Sequence, residues 1–559
     1  MRKLKCPTET ASNPPTADRS HYAVRCNSAC LRVGAIVFAG ALLLFNQKIA
    51  LAQPAAANPY VEAGAVEQST TMAPTPEWLD ETGKPVDQVL DALETLTSAR
   101  NQGLDPADYN AAALWAQFTR LSDGETPTVA EQRALNEQLT ASLEKYLTDL
   151  RDGRVDPHAV HQKFKPRPQP AFNARTYIAD ALQQNRLRDA LQEAQPQVPM
   201  YDALVNAMAH YRLLAQHPAW SAPLPMPAGK KLERGQTYPA LDTLTSRLIA
   251  LGDLSIDTQV PLEYNDTLQA GIRAFQVRHG LETDGIIGPA TLRQLNVSPE
   301  QRLEQMALTL ERLRWTPLQS HPRMIVVNVP EFVLRAYETD QQGNIDMKLR
   351  MKVIVGRALD TSTPVFDEDM RFIEFSPYWN VPPSIARGET IPRLKRDPAY
   401  FSRQGFEFVK SDGSVSTQLS DANLQAVVNG QARIRQRPGP VNALGDIKFI
   451  FPNNTHIFLH HTPAPQLFER SRRDFSHGCI RVEEPVALAR FVLENDPAWP
   501  RERIEQAMQA GKSQTIRLNE PIPVVLAYGT VIVRDGQVYF YDDIYGHDAT
   551  LSKALKNRR

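Results

Sequence analysis

The sequence predicts an α+β protein of several domains, helical in its N-terminal part and β-rich toward its C-terminus. Three observations carry that expectation. Leu135, Leu139, Leu143, Leu147 and Leu150 fall on one stripe, the 3.6-residue repeat of an amphipathic helix. Beyond residue 323 the apolar period drops to two, in Ile325, Val327 and Val329 and again in Leu349, Met351, Val353 and Val355. And 559 residues exceed one ordinary domain, so about two to four units are expected.

Taken in order, Arg2, Lys3, Lys5 and Arg32 place positive charge ahead of an apolar run from Val33 to Phe45, followed by Ala50-Leu51-Ala52. This is the pattern of a secretory signal peptide over residues 1–52 with a small-residue cleavage site; an uncleaved signal anchor is the alternative, and either exports the protein. The run is only about 13 residues, short for a membrane span, so the mature chain from Gln53 is expected to have no transmembrane segment. Residues 53–76, rich in Ala, Pro, Thr and Ser, read as a linker. Residues 77–231 read as a helical scaffold, with Pro127-Thr128 starting and Asp152-Gly153 stopping its leucine-striped helix.

A Pro-rich joint, Pro223 to Gly229, leads to a module over 232–298. Leu244, Leu248 and Leu251 mark one of its helices, Leu268, Ile272 and Phe275 a second, and the tight Asp284-Gly285-Ile286-Ile287-Gly288-Pro289 turn precedes a third. A short helix over 299–314 opens the last domain, 299–548. Its strands are expected from 323 to 365, with a hairpin tip at Gln342-Gly343-Asn344, and again at Ile447–Phe451 and Ile457–His460. Residues 388–432 interrupt them as an inserted subdomain; helical sequence runs from Glu484 to Ala510 and a final β section from Thr515 to Tyr541.

A formal net charge of −1 gives no basic field for nucleic acid or an anionic membrane surface. Of four cysteines, Cys6, Cys26 and Cys30 precede the cleavage site, which leaves Cys479 alone in an oxidising compartment. Four of twelve histidines, His456, His460, His461 and His477, lie beside it. A cysteine is nucleophilic when an imidazole takes its proton or positive charge stabilises the thiolate. His460 ends a strand 19 residues upstream, enough chain to loop back. Gly478 permits a close backbone approach, and the N–H groups of Gly478 and Cys479 are candidate oxyanion donors. Two other readings stand beside this one. The cluster has zinc-ligand residue types, although adjacent His460 and His461 would face opposite sides of a strand; the thiol and histidines could also simply be packed.

Residues Ser476-His477-Gly478-Cys479-Ile480-Arg481-Val482, with His460 upstream, resemble the signature of the L,D-transpeptidase catalytic domain. Val355-Gly356-Arg357, Trp379-Asn380-Val381-Pro382, Arg435 to Pro440 and Asn442 to Gly445 add to the likeness. Gly252-Asp253-Leu254, Phe275 to Leu281, Asp284 to Pro289 and Leu295-Asn296 resemble a peptidoglycan-binding repeat. The order of parts is similar to that of the large L,D-transpeptidases of Gram-negative bacteria. That resemblance implies a periplasmic enzyme without cofactor or metal, with 388–432 as a cap over the site and glycan strands held through 232–298. It implies that Cys479 attacks a donor stem tetrapeptide at the diaminopimelate carbonyl, releases D-Ala, and passes the acyl group to the amine of an acceptor stem as a 3→3 cross-link. His460 would be the base, oriented by the His461 backbone carbonyl. Arg481 is a candidate partner for a stem carboxylate or a structural ion pair. Ser476 and His477 are further substrate-side candidates, and Trp379 either lines the peptide groove or packs beneath the cap. A hydrolase using the same thioester (an L,D-carboxypeptidase) and a non-catalytic wall-binding protein are the competing functions. Carbapenem-type β-lactams would acylate Cys479.

Overall fold

The computed structural model describes residues 76–123, 127–165, 172–318, 321–358 and 361–558. The expected signal segment and all but the end of the linker lie outside them. The scaffold is a helical bundle whose longest member, Val129–Asp152, has the limits its sequence announces. Thr128 and Glu131 form a reciprocal capping box, and the helix stops at Gly153, whose φ is 80°. The leucine stripe is buried there against Trp78, Leu93, Leu96 and Tyr201. A two-residue strand, β1 (Gln162–Lys163), then leaves the bundle.

The next module packs helices Leu241–Ala250, Asp266–Arg278 and Pro289–Leu295 around Leu244, Leu248, Leu268, Ile272 and Phe275. Gln276 fixes its tight turn, donating to Asp284 Oδ1 at 2.8 Å and accepting from the Gly285 N–H at 2.8 Å.

The C-terminal domain is built on a sheet that closes on itself. Its strands are β2 (Arg323–Asn328), β3 (Val333–Thr339), β4 (Ile345–Gly356) and β5 (Val365–Phe375). The inserted subdomain, called the cap below, follows with β6 (Trp379–Asn380), β7 (Phe406–Lys410), β8 (Val415–Ser416) and β9 (Ala432–Gln436). Then come β10 (Ile447–Ile450), β11 (Leu459–His460), β12 (Asp474–Ser476), β13 (Ile480–Val482) and β14 (Gln514–Ala527). The main path runs β1-β5-β10-β11-β13-β4-β3-β2-β14, and β14 also pairs with β5, which completes the ring. Ring closure leaves few open edges; the scaffold strand β1 takes a free stretch of β5 in parallel.

Four boundaries differ from the sequence expectation, each because a long-range pairing sets them. The strand pattern does not end at 365: β5 continues to Phe375, as the strand that joins β10, β14 and β1. The inserted subdomain is wider than 388–432, since Trp379 and Asn380 pair with Gln436 and Arg435, and it has its own sheet in the order β6-β9-β7-β8 and its own core around Phe401, Phe408 and Ile434. The last β section splits at Ala527. Its end forms the hairpin β15 (Val531–Arg534) and β16 (Gln537–Phe540), whose Val531, Val538 and Phe540 belong to the scaffold core. Finally, the domain does not stop at 548: helix His547–Asn557 buries Leu551 in the C-terminal core, and Arg558 pairs with Asp149 of the scaffold at 2.9 Å. Among the described residues no helix is long and apolar enough to cross a membrane.

Candidate active site

Strand register assembles the site. β11 and β13 are parallel neighbours, with Leu459 opposite Ile480 and His460 opposite Arg481. Leu459 and Ile480 are fully buried in the core. Because side chains alternate along a strand, Phe458, His460, Cys479 and Arg481 face together on the opposite side. Cys479 thus reaches the face of His460 through register alone.

The loop that presents Cys479 is tied from several directions. The Ser476 hydroxyl donates to the Cys479 carbonyl at 2.5 Å and accepts from the Gly478 N–H at 3.1 Å. The Thr363 hydroxyl donates to the Gly478 carbonyl at 2.7 Å and accepts from the Gly356 N–H at 2.9 Å. Tyr545 donates to the Gly356 carbonyl at 2.6 Å. Gly356 has to be glycine, since a Cβ there would lie 2.0 Å from the Thr361 carbonyl and 3.0 Å from Gly478 Cα. Gly478, at φ 111°, is the second position that backbone geometry reserves for glycine.

His460 is buried, and its Nδ1 lies 2.6 Å from the His461 carbonyl oxygen, which fixes ring orientation and places the N–H on Nδ1. The His461 side chain goes the other way, to Asp446 Oδ1 at 2.5 Å. Gly445 makes room for it; a Cβ at 445 would meet His461 Cβ at 2.7 Å. The resting Cys479 thiol donates to the His456 carbonyl at 3.6 Å rather than to His460.

Both partners rest uncharged. Burial pushes the Cys479 thiol up to about 11, against the opposing pull of the Phe458 N–H and the positive charges of Lys448 and Arg481. Burial and then the Arg481 charge lower His460 to about 3, outweighing the carbonyls of His461 and Leu444 that favour its charged form.

Of the other candidates, Arg481 has a buried Nε without a partner, and burial lowers its pKa. His477 turns outward to Glu389 of the cap, Nε2 to Oε1, at 2.7 Å. Trp379 packs against the cap core and lies in the β6–β9 pairing. The Gly478 N–H, a candidate oxyanion donor in the sequence, is committed to Ser476. Sequence reasoning missed Asp446, Glu389, Thr363 and Tyr545. Asp446 adjoins the Asn442–Gly445 motif and was within reach; the others come from distant segments that no local pattern links to Cys479. Among the described residues no group of three or more His, Cys, Asp or Glu side chains is placed to hold a metal ion.

Comparison with known proteins bears on the same regions. Residues 322–499 match the family model of the L,D-transpeptidase catalytic domain, 71–208 that of a scaffold domain, and 237–295 that of a "Putative peptidoglycan binding domain". A "Putative L,D-transpeptidase" of Haemophilus influenzae is 30% identical over 255 residues, which span 45% of this chain and 50% of that relative. The chain therefore aligns with about half the length of this relative. A crystal structure of the L,D-transpeptidase (residues 123–326) from Xylanimonas cellulosilytica shares 15% identity over 54% of this chain and 99% of that one, with a TM-score of 0.18. A fused Zn-dependent amidase/peptidase/peptidoglycan-binding domain-containing protein from Clostridium acetobutylicum shares 13% over 53% and 99%, with a TM-score of 0.15. Superpositions this poor bear on neither the fold nor the function of the chain.

Proposed function

From the premise that this chain carries an L,D-transpeptidase catalytic domain beside a scaffold and a peptidoglycan-binding domain, we propose that it joins peptidoglycan stem peptides through a Cys479 thioester. The observation that carries this reading is the placement of Cys479, His460 and Arg481 on one face by the β11–β13 register, with the His460 ring fixed by the His461 carbonyl.

In the first half-reaction the Cys479 thiol rotates from the His456 carbonyl toward His460. The sulfur attacks the diaminopimelate carbonyl of a donor tetrapeptide as His460 takes its proton. The Cys479 N–H stabilises the oxyanion, since the Gly478 N–H is held by Ser476. Collapse breaks the C–N bond, His460 returns the proton to the leaving amine, and D-Ala departs. Arg481, with its free buried Nε, binds a stem carboxylate. In the second half-reaction the side-chain amine of an acceptor stem resolves the thioester as a 3→3 cross-link.

Residues 232–298 hold glycan strands in this reading. Their loop exposes Ile256 (84% exposed) and Leu262 (95%), apolar side chains suited to the apolar faces of sugars. The site works on the cell wall outside the cytoplasmic membrane, and carbapenem-type β-lactams acylate Cys479.

The test is incubation of the mature chain with a diaminopimelate-containing disaccharide tetrapeptide, with chromatography and mass analysis of the products. A cross-linked dimer with D-Ala release, both absent in Cys479→Ala, supports the reading. Tripeptide as the sole product would replace it with an L,D-carboxypeptidase, and no turnover with a wall-binding protein.

A further inference from the structure

Two residues before Cys479, His477 does not turn toward the thiol. Its Nε2 reaches Glu389 Oε1 at 2.7 Å, and Glu389 lies on the Ala386–Thr390 turn of the cap. Through this contact the cap meets the cysteine loop. His477 keeps 29% of its side chain exposed and Glu389 56%, so solutes reach both.

Two facts argue against a purely structural latch. A contact this exposed contributes little to stability. The Glu389 carboxylate is also opposite in charge to the groups on the other side of the cysteine. Arg481 shares the Cys479 face, with Arg357 and Lys448 close enough to act electrostatically on Arg481 and Cys479 respectively. That side suits the carboxylates of a donor stem. Asp446, the nearby acid on the sheet side, is occupied by His461. Glu389 is the acid that the cap brings to the cysteine loop, and the acceptor of the proposed reaction arrives as a cation.

We propose that Glu389 and His477 form the acceptor-amine subsite, in which Glu389 holds the incoming ammonium and His477 takes its first proton. This deepens the transpeptidase reading and rests on it. The acceptor enters as R–NH3+, and one proton passes to His477 and on to solvent. The free amine then attacks the thioester carbonyl; the C–N bond forms and the C–S bond breaks. The second proton leaves the nitrogen through His460 and returns to the departing sulfur, which restores the Cys479 thiol. Charge and protons balance without a further reactant. Donor acylation uses His460 and Arg481 and does not pass through this pair.

The experiment measures two quantities on one substrate, the disaccharide tetrapeptide: total D-Ala release, which counts thioesters formed, and the ratio of cross-linked dimer to tripeptide, which counts how they are resolved. Glu389→Gln and His477→Gln are each expected to lower that ratio roughly tenfold or more, while D-Ala release stays within about threefold. Glu389→Asp is expected to restore much of the ratio, because the carboxylate remains. A parallel fall of release and ratio would reduce the pair to a latch for the cap and overturn the inference, as would an unchanged ratio in Glu389→Gln. Wild-type protein that forms no dimer would overturn the parent reading and this one together, so the two failures are distinguished by the protein in which they occur.

Discussion

Two buried histidines in this molecule, one at a helix end and one in a strand, make the same backbone contact in different surroundings. His279, in the three-helix module, and His460, in the catalytic domain, each place Nδ1 against a backbone carbonyl, of Phe275 at 2.7 Å and of His461 at 2.6 Å. Burial lowers the pKa of both, to about 3 for His460. Yet the His279 ring is stacked on Phe275 at 3.7 Å and faces Phe540 of the β15–β16 hairpin at 5.7 Å. Beside it, Arg278 pairs with Asp253 and donates to the Val538 carbonyl at 3.2 Å. His279 is therefore mortar between the module and the hairpin. His460 has a thiol on its face in place of a second ring. Burial and a lowered pKa are common to both and do not separate them; the Cys479 thiol that shares the sheet face of His460 does.

The comparison breaks most visibly at His460. His460→Ala is expected to lower D-Ala release by roughly 10³–10⁴ with the fold retained, as judged by an unchanged thermal transition. His279→Ala should do the reverse. Removing a ring stacked in a buried joint is expected to cost about 2–4 kcal/mol in denaturant unfolding, while turnover per folded molecule stays within about threefold.

Acid sharpens the comparison by treating both alike. A histidine whose folded pKa lies below its unfolded value takes up a proton first in the unfolded chain, so stability is full above about pH 6.5 and falls as pH drops toward the folded value. His460, at about 3, and His547, lowered by burial to about 4, both act this way, as does His279. Each contributes up to about 1.4 kcal/mol per pH unit in that window. Unfolding free energy should thus fall steeply from about pH 6.5 to about pH 4, and His279→Phe should flatten the slope without touching catalysis.

A smaller effect is expected at Gly445, where an added Cβ would press on His461 at a φ of 65°. Gly445→Ala should cost about 1–3 kcal/mol and, by shifting the His461 carbonyl, lower turnover roughly tenfold. Thr363→Val, which removes the hydroxyl between Gly356 and Gly478, should cost about 1 kcal/mol with a several-fold loss in turnover.

What the sequence made legible was what is local. Thr128, Glu131 and Gly153 bound the leucine-striped helix because caps and 3.6-residue periodicity are written in neighbouring residues. The turn at Asp284–Pro289 was legible for the same reason. The ends of the cap were not, since Trp379 finds Gln436 only in the folded sheet. Nor was the role of Gln162 and Lys163, which carry no strand signal and pair because β5 offers them an edge. At the site, Cys479 and His460 stood out by composition and spacing. Glu389, 88 residues from His477, did not.

The most direct test of the central claim is to trap the acyl-enzyme. Full-length mature protein is mixed briefly with donor tetrapeptide, quenched in acid and mapped by peptide mass. The account predicts a tripeptide-sized acyl group, labile to hydroxylamine, on the peptide containing Cys479, and none in Cys479→Ala. Turnover that survives in Cys479→Ala, or an acyl group found on any other residue, would contradict it.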